Sequence, residues 1–260
     1  TSCGVPTLGC SCKVCRSTNP HDSRLRCAAL VETDTTRLLI DCGPDIRQQL
    51  MPLPFRRIDG VLLTHMHYDH VGGIDDLRPY CRFGTIPLYG DCKTLRHVRQ
   101  SMPYCFPHGL MQRIEKSLPW LKLKLYPGVP SLSLNPIHAH RPFSVGDIEV
   151  LPINVLHGKL PILGFRIGRN FAYITDMKSM SEDELHYLKG VRTLVVNALR
   201  FEKPHHSHQL VADAVAFAHK VGAEQTWLIH FNHDIGLETE AQAKLPRNVG
   251  LAYDGLEIEV

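Results

Sequence analysis

Thr64-His65-Met66-His67-Tyr68-Asp69-His70, THMHYDH, is the stretch on which the reading of this chain turns. It follows IDGVLL (Ile58–Leu63), an apolar run that predicts a buried strand centred on Val61 to Leu63. Four cation-binding side chains, His65, His67, Asp69 and His70, thus leave the end of one strand within six residues. In an extended turn, residues i and i+2 project to the same side, so His65 and His67 can grip one ion. Asp69 and His70 can then turn toward a second. Imidazole with carboxylate suits zinc, iron or manganese. The plain alternative is a solvated His-rich loop. A position at the end of an apolar strand, ahead of Val71-Gly72-Gly73, argues against it.

Working outward, LGCSCKVCRS (Leu8–Ser17) places Cys10, Cys12 and Cys15 one ligand short of a closed tetrahedral zinc site. Cys3, Cys27, Cys42, Cys81, Cys92 and Cys105 lack ligand spacing and are expected to be small buried residues. Nine cysteines in 260 residues is an odd number in a chain too long to need disulfide staples. Reduced thiols, some of them metal ligands, are expected, and with them a cytoplasmic location. The chain is 43% hydrophobic, enough for one large α/β domain or two small ones. A net charge of +3 gives no reason to expect a general nucleic-acid binder. No apolar run reaches the roughly 18–20 residues of a membrane span, and no signal peptide is recognisable. The chain opens at Thr1 with loop-like sequence, so further residues upstream are expected.

The remaining pattern is strands first, then strands alternating with helices. AALVET and TRLLIDCG read as two strands joined around Asp34-Thr35-Thr36, and IPLYG as a short one. IEVLPINVLHG predicts a strand ending at His157, and LGFRIG with NFAYITDM a hairpin ending at Asp176. SEDELHYLKG predicts a helix with a Ser181–Glu184 capping box and a stop at Gly190. TLVVNAL is a buried strand. SHQLVADAVAFAHKVGA is an amphipathic helix starting near Ser207 or His208 and stopping at Gly222. QTWLIHFNHD runs from a strand into a His-bearing loop, and GLEIEV closes the chain as an alternating strand. Residues from about 95 to 145 predict an irregular insertion with short strands such as LKLKLYP. There is no Gly-rich phosphate loop and no linker, so a single domain over 1–260 is expected.

H-x-H-x-D-H resembles the hallmark of the metallo-β-lactamase superfamily. The resemblance implies an α/β fold: an αββα sandwich of two mixed sheets flanked by helices, with the site along one edge. It extends to His157 in VLHGK, Asp176 in YITDM and His230 in LIHFNHD, each at a predicted strand end. By that resemblance one metal falls to His65, His67 and His157, the other to Asp69, His70 and His230, and Asp176 bridges them. Asp41 in LLIDCG would be a buried carboxylate behind the ligands. Within the superfamily, the chain is similar to phosphodiesterases of the carbon–phosphorus lyase pathway, which carry a GVP…GC-x-C-x-x-C loop. Here Gly4-Val5-Pro6 precedes Cys10, Cys12 and Cys15 over about residues 1–27, and the resemblance supplies His233 as the fourth ligand of a structural zinc. It also places an active-site histidine at His208 in PHHSHQL, leaving His205 and His206 to structural or surface roles.

The implied activity is hydrolysis of a small phosphodiester, a cyclic ribosyl phosphate among the candidates. Two divalent ions, manganese or zinc, would share a bridging hydroxide, with Asp69 in the catalytic set and His208 as general acid. Lys159 is a weaker candidate for a phosphate contact. Two other readings share the motif: a tRNase Z-like endonuclease, and a non-hydrolytic component of the kind used in pyrroloquinoline quinone synthesis. The mild charge, with no recognisable basic arm, disfavours tRNA, and the complete ligand set favours hydrolysis. A β-lactamase is disfavoured because Asp176 stands where those enzymes use cysteine. The 95–145 segment can wall the cleft or form a homodimer contact.

Overall fold

A computed structural model describes residues 1–106, 117–118 and 128–260. Two sheets make the frame. The first orders β1 (Ala29–Glu32), β2 (Arg37–Ile40), β3 (Gly60–Leu62), β4 (Ile86–Gly90) and β5 (Leu132–Pro136) side by side. β1 is antiparallel to β2, and β2 to β5 run parallel. The second sheet contains β6 (Phe143–Val145), β7 (Ile148–His157), β8 (Leu160–Ile167), β9 (Phe171–Ile174), β10 (Thr193–Asn197), β11 (Gln225–Ile229) and β12 (Val249–Leu251), adjacent in chain order. It begins antiparallel, and β9 to β12 are parallel.

Three apolar clusters show how the layers stack. Leu38, Ile40 and Leu62 of the first sheet meet Val150, Leu163, Phe165 and Tyr173 of the second, forming the core between sheets. The outer face of the first sheet is covered by α1 (Ile46–Leu50), a long 3-10 segment from Ile74, and α3 (Cys92–Ser101), which supply Ile46, Ile74, Leu77, Leu95 and Val98. The outer face of the second is covered by α5 (Val211–Val221), through Val211, Ala214, Phe217 and Ala218. The short α2 (Tyr68–Val71), α4 (Glu182–Leu185) and α6 (Glu238–Gln242) complete the helices used below. Helix, sheet, sheet, helix is the αββα sandwich. Strands such as β2 and β9 are buried on both faces, which is why they read as unbroken apolar runs. Each large apolar side chain buried there contributes about 1.5–3 kcal/mol.

Several expectations are corrected. GLEIEV forms no strand; Val249–Leu251 is the edge strand instead, and Ile258 only leans on the core. α5 starts at Val211 and not near Ser207 or His208. The backbone of 207–209 is already taken by tertiary bonds: Gln209 N–H donates to Met177 O (3.2 Å), and Leu199 N–H to Gln209 O (3.0 Å). The Ser181–Glu184 box does not form: Glu184 N–H donates to Ser181 O (3.1 Å), and the Glu184 carboxylate turns inward to accept from Asn154 N–H (3.1 Å) beside His140 (2.9 Å). The segment expected to be irregular contains most of α3 and the strands β5 and β6. The strand expected in LKLKLYP falls outside the described residues. Of the six cysteines expected to be buried, Cys42 and Cys105 are, Cys27 and Cys81 are half-buried, and Cys3 and Cys92 are exposed. No described helix is long and apolar enough to cross a membrane.

Candidate metal centres

The strands deliver the site at their C-terminal ends. β3 feeds His65 and His67 directly, and α2 then carries Asp69 and His70. His157 is the last residue of β7, Asp176 lies two residues past β9, and His230 follows β11. Asp41, Asp176 and His230 each take a left-handed backbone, with φ of 60°, 55° and 57°. Such angles are rare outside glycine and cost of order 1–3 kcal/mol each, so packing must hold these turns. Asn197, at the end of β10, holds one of them. Its Oδ1 accepts Met177 N–H (2.6 Å) and its Nδ2 donates to Met177 O (2.9 Å), locking the residue after Asp176. The sheets are joined at this edge by Leu163 N–H donating to Thr64 O (3.0 Å).

Two donor sets result. His65, His67, His157 and Asp176 each present a ligand atom within 4.8 Å of one another, as do Asp69, His70, Asp176 and His230. Asp176 belongs to both, one oxygen to each. Its Oδ2 lies 3.7 Å from His65 Nε2 and 3.8 Å from His157 Nε2. Its Oδ1 lies 3.5 Å from His70 Nε2 and 3.1 Å from His230 Nε2. Asp69 Oδ2 is 3.3 Å from both His70 Nε2 and His230 Nε2. Ligands at about 2.1 Å from a tetrahedral ion stand roughly 3.4 Å apart, so these spacings fit a cation in each set.

The hydrogen bonds behind the rings aim them. His70 Nδ1 is 2.6 Å from Asp41 Oδ2, which only accepts, so Nδ1 carries the proton and Nε2 faces the cluster. That Nε2 is buried without a hydrogen-bond partner. Thr64 Oγ1 donates to Asp41 (2.9 Å) and so accepts from His65 Nδ1 (3.0 Å), leaving His65 Nε2 as a lone pair. His157 Nδ1 donates to Ser207 O (2.9 Å) with the same result. Three imidazoles are therefore fixed in the ligating tautomer. Charge follows the geometry. Burial would raise Asp69 and Asp176, but His230 and His70 outweigh it and hold both well below the usual carboxylate range. Burial lowers His65, His67 and His230. It opposes His70 too, yet Asp41 and Asp176 carry that group upward.

The second candidate centre joins the two ends of the chain. His233 Nδ1 lies 3.1 Å from Cys10 Sγ, 3.5 Å from Cys12 Sγ and 3.3 Å from Cys15 Sγ. Backbone amides point at two of the sulfurs: Cys15 N–H at Cys12 (3.4 Å) and Thr7 N–H at Cys15 (3.4 Å). The Cys15 amide pulls the Cys12 thiol down to about 6, while burial pushes Cys15 up to about 11. Thiols this close do not ionise together unaided, and a divalent ion is what would let all of them do so. His233 opens a 3-10 turn (His233–Ile235) three residues past His230, so the two centres share one loop.

His208 is buried, with its ring centroid 4.7 Å from His157 and 4.9 Å from His230. Burial, then His230, pushes it down to about 3. It does not sit at a helix N-terminus, since α5 begins three residues later. Lys178 Nζ donates to its carbonyl (3.2 Å), and Gln209 Nε2 to Asn197 O (2.7 Å), so the segment is tied at both sides. Lys159 is exposed on the β7–β8 turn. Sequence reasoning missed Thr64, Asn197, Ser207 and Gln209. Asn197 alone carried a signal, a polar residue ending the apolar run TLVV.

A sandwich with imidazole and carboxylate donors along the C-terminal strand edge defines a class, and the comparisons agree with it. The model of the beta-lactamase superfamily domain matches residues 36–231. The chain belongs to the metallo-β-lactamase superfamily. Within it, the chain is similar to a crystal structure described as a new diphosphatase from the PhnP family. The TM-score is 0.86 and the identity 34%, covering 100% of this chain and 94% of that one. It is also 41% identical over 258 residues to an octanoyltransferase of Porphyromonas gingivalis, covering 99% of this chain and 49% of that protein. The chain thus spans about half the length of that relative. Zinc-bound PqqB of Methylobacterium extorquens shares the fold, with a TM-score of 0.76 at 19% identity over 99% of this chain and 96% of that one. Fold and donor sets alike suit divalent metal ions.

Proposed function

We propose that the chain is a metal-dependent phosphodiesterase acting on a small phosphodiester, with a cyclic ribosyl phosphate as the leading candidate. The observation that carries this is Asp176, whose two oxygens face two separate donor sets. That is the arrangement two-cation phosphoryl chemistry uses. Similarity along the full chain to a PhnP-family diphosphatase supports attack at phosphorus. Divalent ions, zinc or manganese, held by these sets would supply an activated water near neutral pH and stabilise charge on the phosphoryl oxygens.

The chain's own residues orient and exclude. Asp41, Thr64 and Ser207 keep the ligating imidazoles in one tautomer. Asp69 is held ionised between His70 and His230. His208 stands against both sets as a neutral ring. An anionic group beside it draws its pKa back up, and it can then hand a proton to a departing alkoxide, a role worth roughly 10²–10⁴ in rate. In the same proposal, Cys10, Cys12, Cys15 and His233 hold a structural zinc that keeps the His230 loop in place. We place the octanoyl transfer named for the P. gingivalis relative in the half of that protein this chain does not match. In support, the His/Asp donor sets contain no thiol or hydroxyl that could accept an acyl group.

The test is hydrolysis by metal-loaded protein of an aryl phosphodiester, 5-phosphoribosyl 1,2-cyclic phosphate, 2′,3′-cyclic nucleotides, a diphosphate, precursor tRNA and an octanoyl thioester, with Asp69→Ala as control. Turnover of the small phosphodiesters, lost in the control, is expected. Cleavage of tRNA or thioester alone would overturn the substrate class. No turnover at all would favour a non-hydrolytic role.

A further inference from the structure

Behind the donor sets, one short segment does more than carry His208. Ser207 is buried, and its carbonyl oxygen receives His157 Nδ1–H at 2.9 Å. The other polar groups of Ser207 both turn to one ring. Its N–H lies 3.4 Å from His205 Nδ1 and its Oγ 3.2 Å from the same atom. A backbone N–H only donates, so His205 Nδ1 is the acceptor and the neutral ring carries its proton on Nε2. The His205 ring then stacks on His208, with centroids 5.0 Å apart and planes 29° from parallel. His208 in turn packs on His157 and His230. The turn at Gly158 closes against this segment. A Cβ there would stand 3.4 Å from His206 O and 3.5 Å from Ser207 Cβ, ordinary contact distances, so Gly158 lies beside the segment without clamping it, and the hydrogen bonds to His205 and His157 are what hold the Ser207 peptide.

We infer that His205 is a positioning residue for the candidate metal site. It fixes the Ser207 peptide whose carbonyl aims His157, and it fixes the plane of the His208 ring by stacking. The first effect depends on an acceptor at Nδ1, the second on a flat ring, and the two can be separated. His205→Asn keeps an acceptor near the Nδ1 position and loses the ring. His205→Phe keeps the ring and loses the acceptor. His205→Ala loses both. The inference rests on the phosphodiesterase reading for its activity arm alone, and on metal binding at the His/Asp site for its affinity arm.

The experiment measures metal affinity by chelator competition and the His157 Nδ1–H resonance by NMR in the metal-free protein, each beside a thermal melt. Loss of an outer hydrogen-bond partner typically weakens metal binding about 10–100-fold. His205→Phe and His205→Ala are expected to weaken binding at the His/Asp site toward the lower end of that range and to broaden or lose the Nδ1–H signal. His205→Asn is expected to restore both, and metal at the cysteine centre is expected to be unchanged in all. The activity arm compares an aryl with an alkyl phosphodiester. Loss of the ring is expected to slow the alkyl ester at least several-fold more than the aryl ester, because only the poor leaving group needs His208. Wild-type affinity and an intact Nδ1–H signal in His205→Phe would overturn the inference. If the wild-type protein hydrolyses no phosphodiester, the functional reading fails, while affinity and NMR still decide the role of His205. If His205→Ala fails to fold, the Asn and Phe variants decide it, being closer in size to histidine.

Discussion

The two candidate metal centres are built in opposite ways. The His/Asp centre draws on the ends of four strands in two sheets, and most of its donors are buried. Its rings are oriented by Asp41, Thr64 and the Ser207 carbonyl, all protein groups. The cysteine centre takes three donors from six residues of one loop and a fourth from 218 positions away, all only half-buried. Its sulfurs have two backbone amides and, among the described residues, no side-chain frame beyond the donors themselves. The first centre is preorganised by the fold, whereas the second, on the proposed zinc reading, would organise part of the fold. Removing an ion should therefore leave the first pocket standing and loosen the second loop.

The largest expected effect is in the preorganised centre. Asp176→Ala removes a donor from both sets, and activity should fall roughly 10³-fold with loss of bound metal. Full activity with full metal content would break the two-set picture. Cys12→Ser comes next and should act on stability. Losing a structural zinc site should lower the melting temperature by several degrees and release the Val5–Arg24 pairing, seen as faster amide exchange there. An unchanged melt would mean the loop holds itself. Thr64→Val tests the frame of the first centre by deleting the hydroxyl between Asp41 and His65. Metal affinity at that centre should drop about tenfold, while the zinc content of the cysteine loop stays the same.

A smaller effect concerns pH. His65, His67, His208 and His230 have pKa values below the ordinary imidazole value of about 6.5, with burial the leading cause. Below that pH the unfolded chain takes up protons that the native state refuses, so stability is lost on acidification. His70 has the opposite sign, its contribution being lost as pH rises through its elevated pKa. Four groups outweigh one, so the metal-free protein should melt lower at pH 5.5 than at pH 7.5. A flat or reversed profile would contradict the lowering of these four rings. The smallest effect is expected for Lys13→Ala. The Lys13–Glu240 pair at the cysteine loop is 2.6 Å long but exposed at both ends, and such pairs contribute at most about 1 kcal/mol. A large drop would show that ion pairing, and not metal, holds the loop.

What was readable in the sequence follows the same division. His65 to His70 and Cys10 to Cys15 could be read residue by residue, because ligands close in the chain reveal themselves by spacing. His157, Asp176, His230 and His233 needed the resemblance to a family, since nothing local distinguishes a ligand histidine from any other at a strand end. Ser207 and Gln209 could not be read at all, and Asn197 showed only as a polar residue ending an apolar run, because their roles lie in bonds to residues 12 to 50 positions away. The Ser181–Glu184 box failed for the same reason: a tertiary partner, Asn154, competed for Glu184 and won.

The sequence by itself determined most of the strands, the donor types and the ion class they suit, because periodicity and ligand chemistry are local properties. Only the tertiary structure decided that Asp176 turns one oxygen to each set, that the residues just before α5 stay outside the helix, and that one loop serves both centres. Those outcomes depend on which strand ends meet at the sheet edge, and hydrogen bonds across the layers settle that.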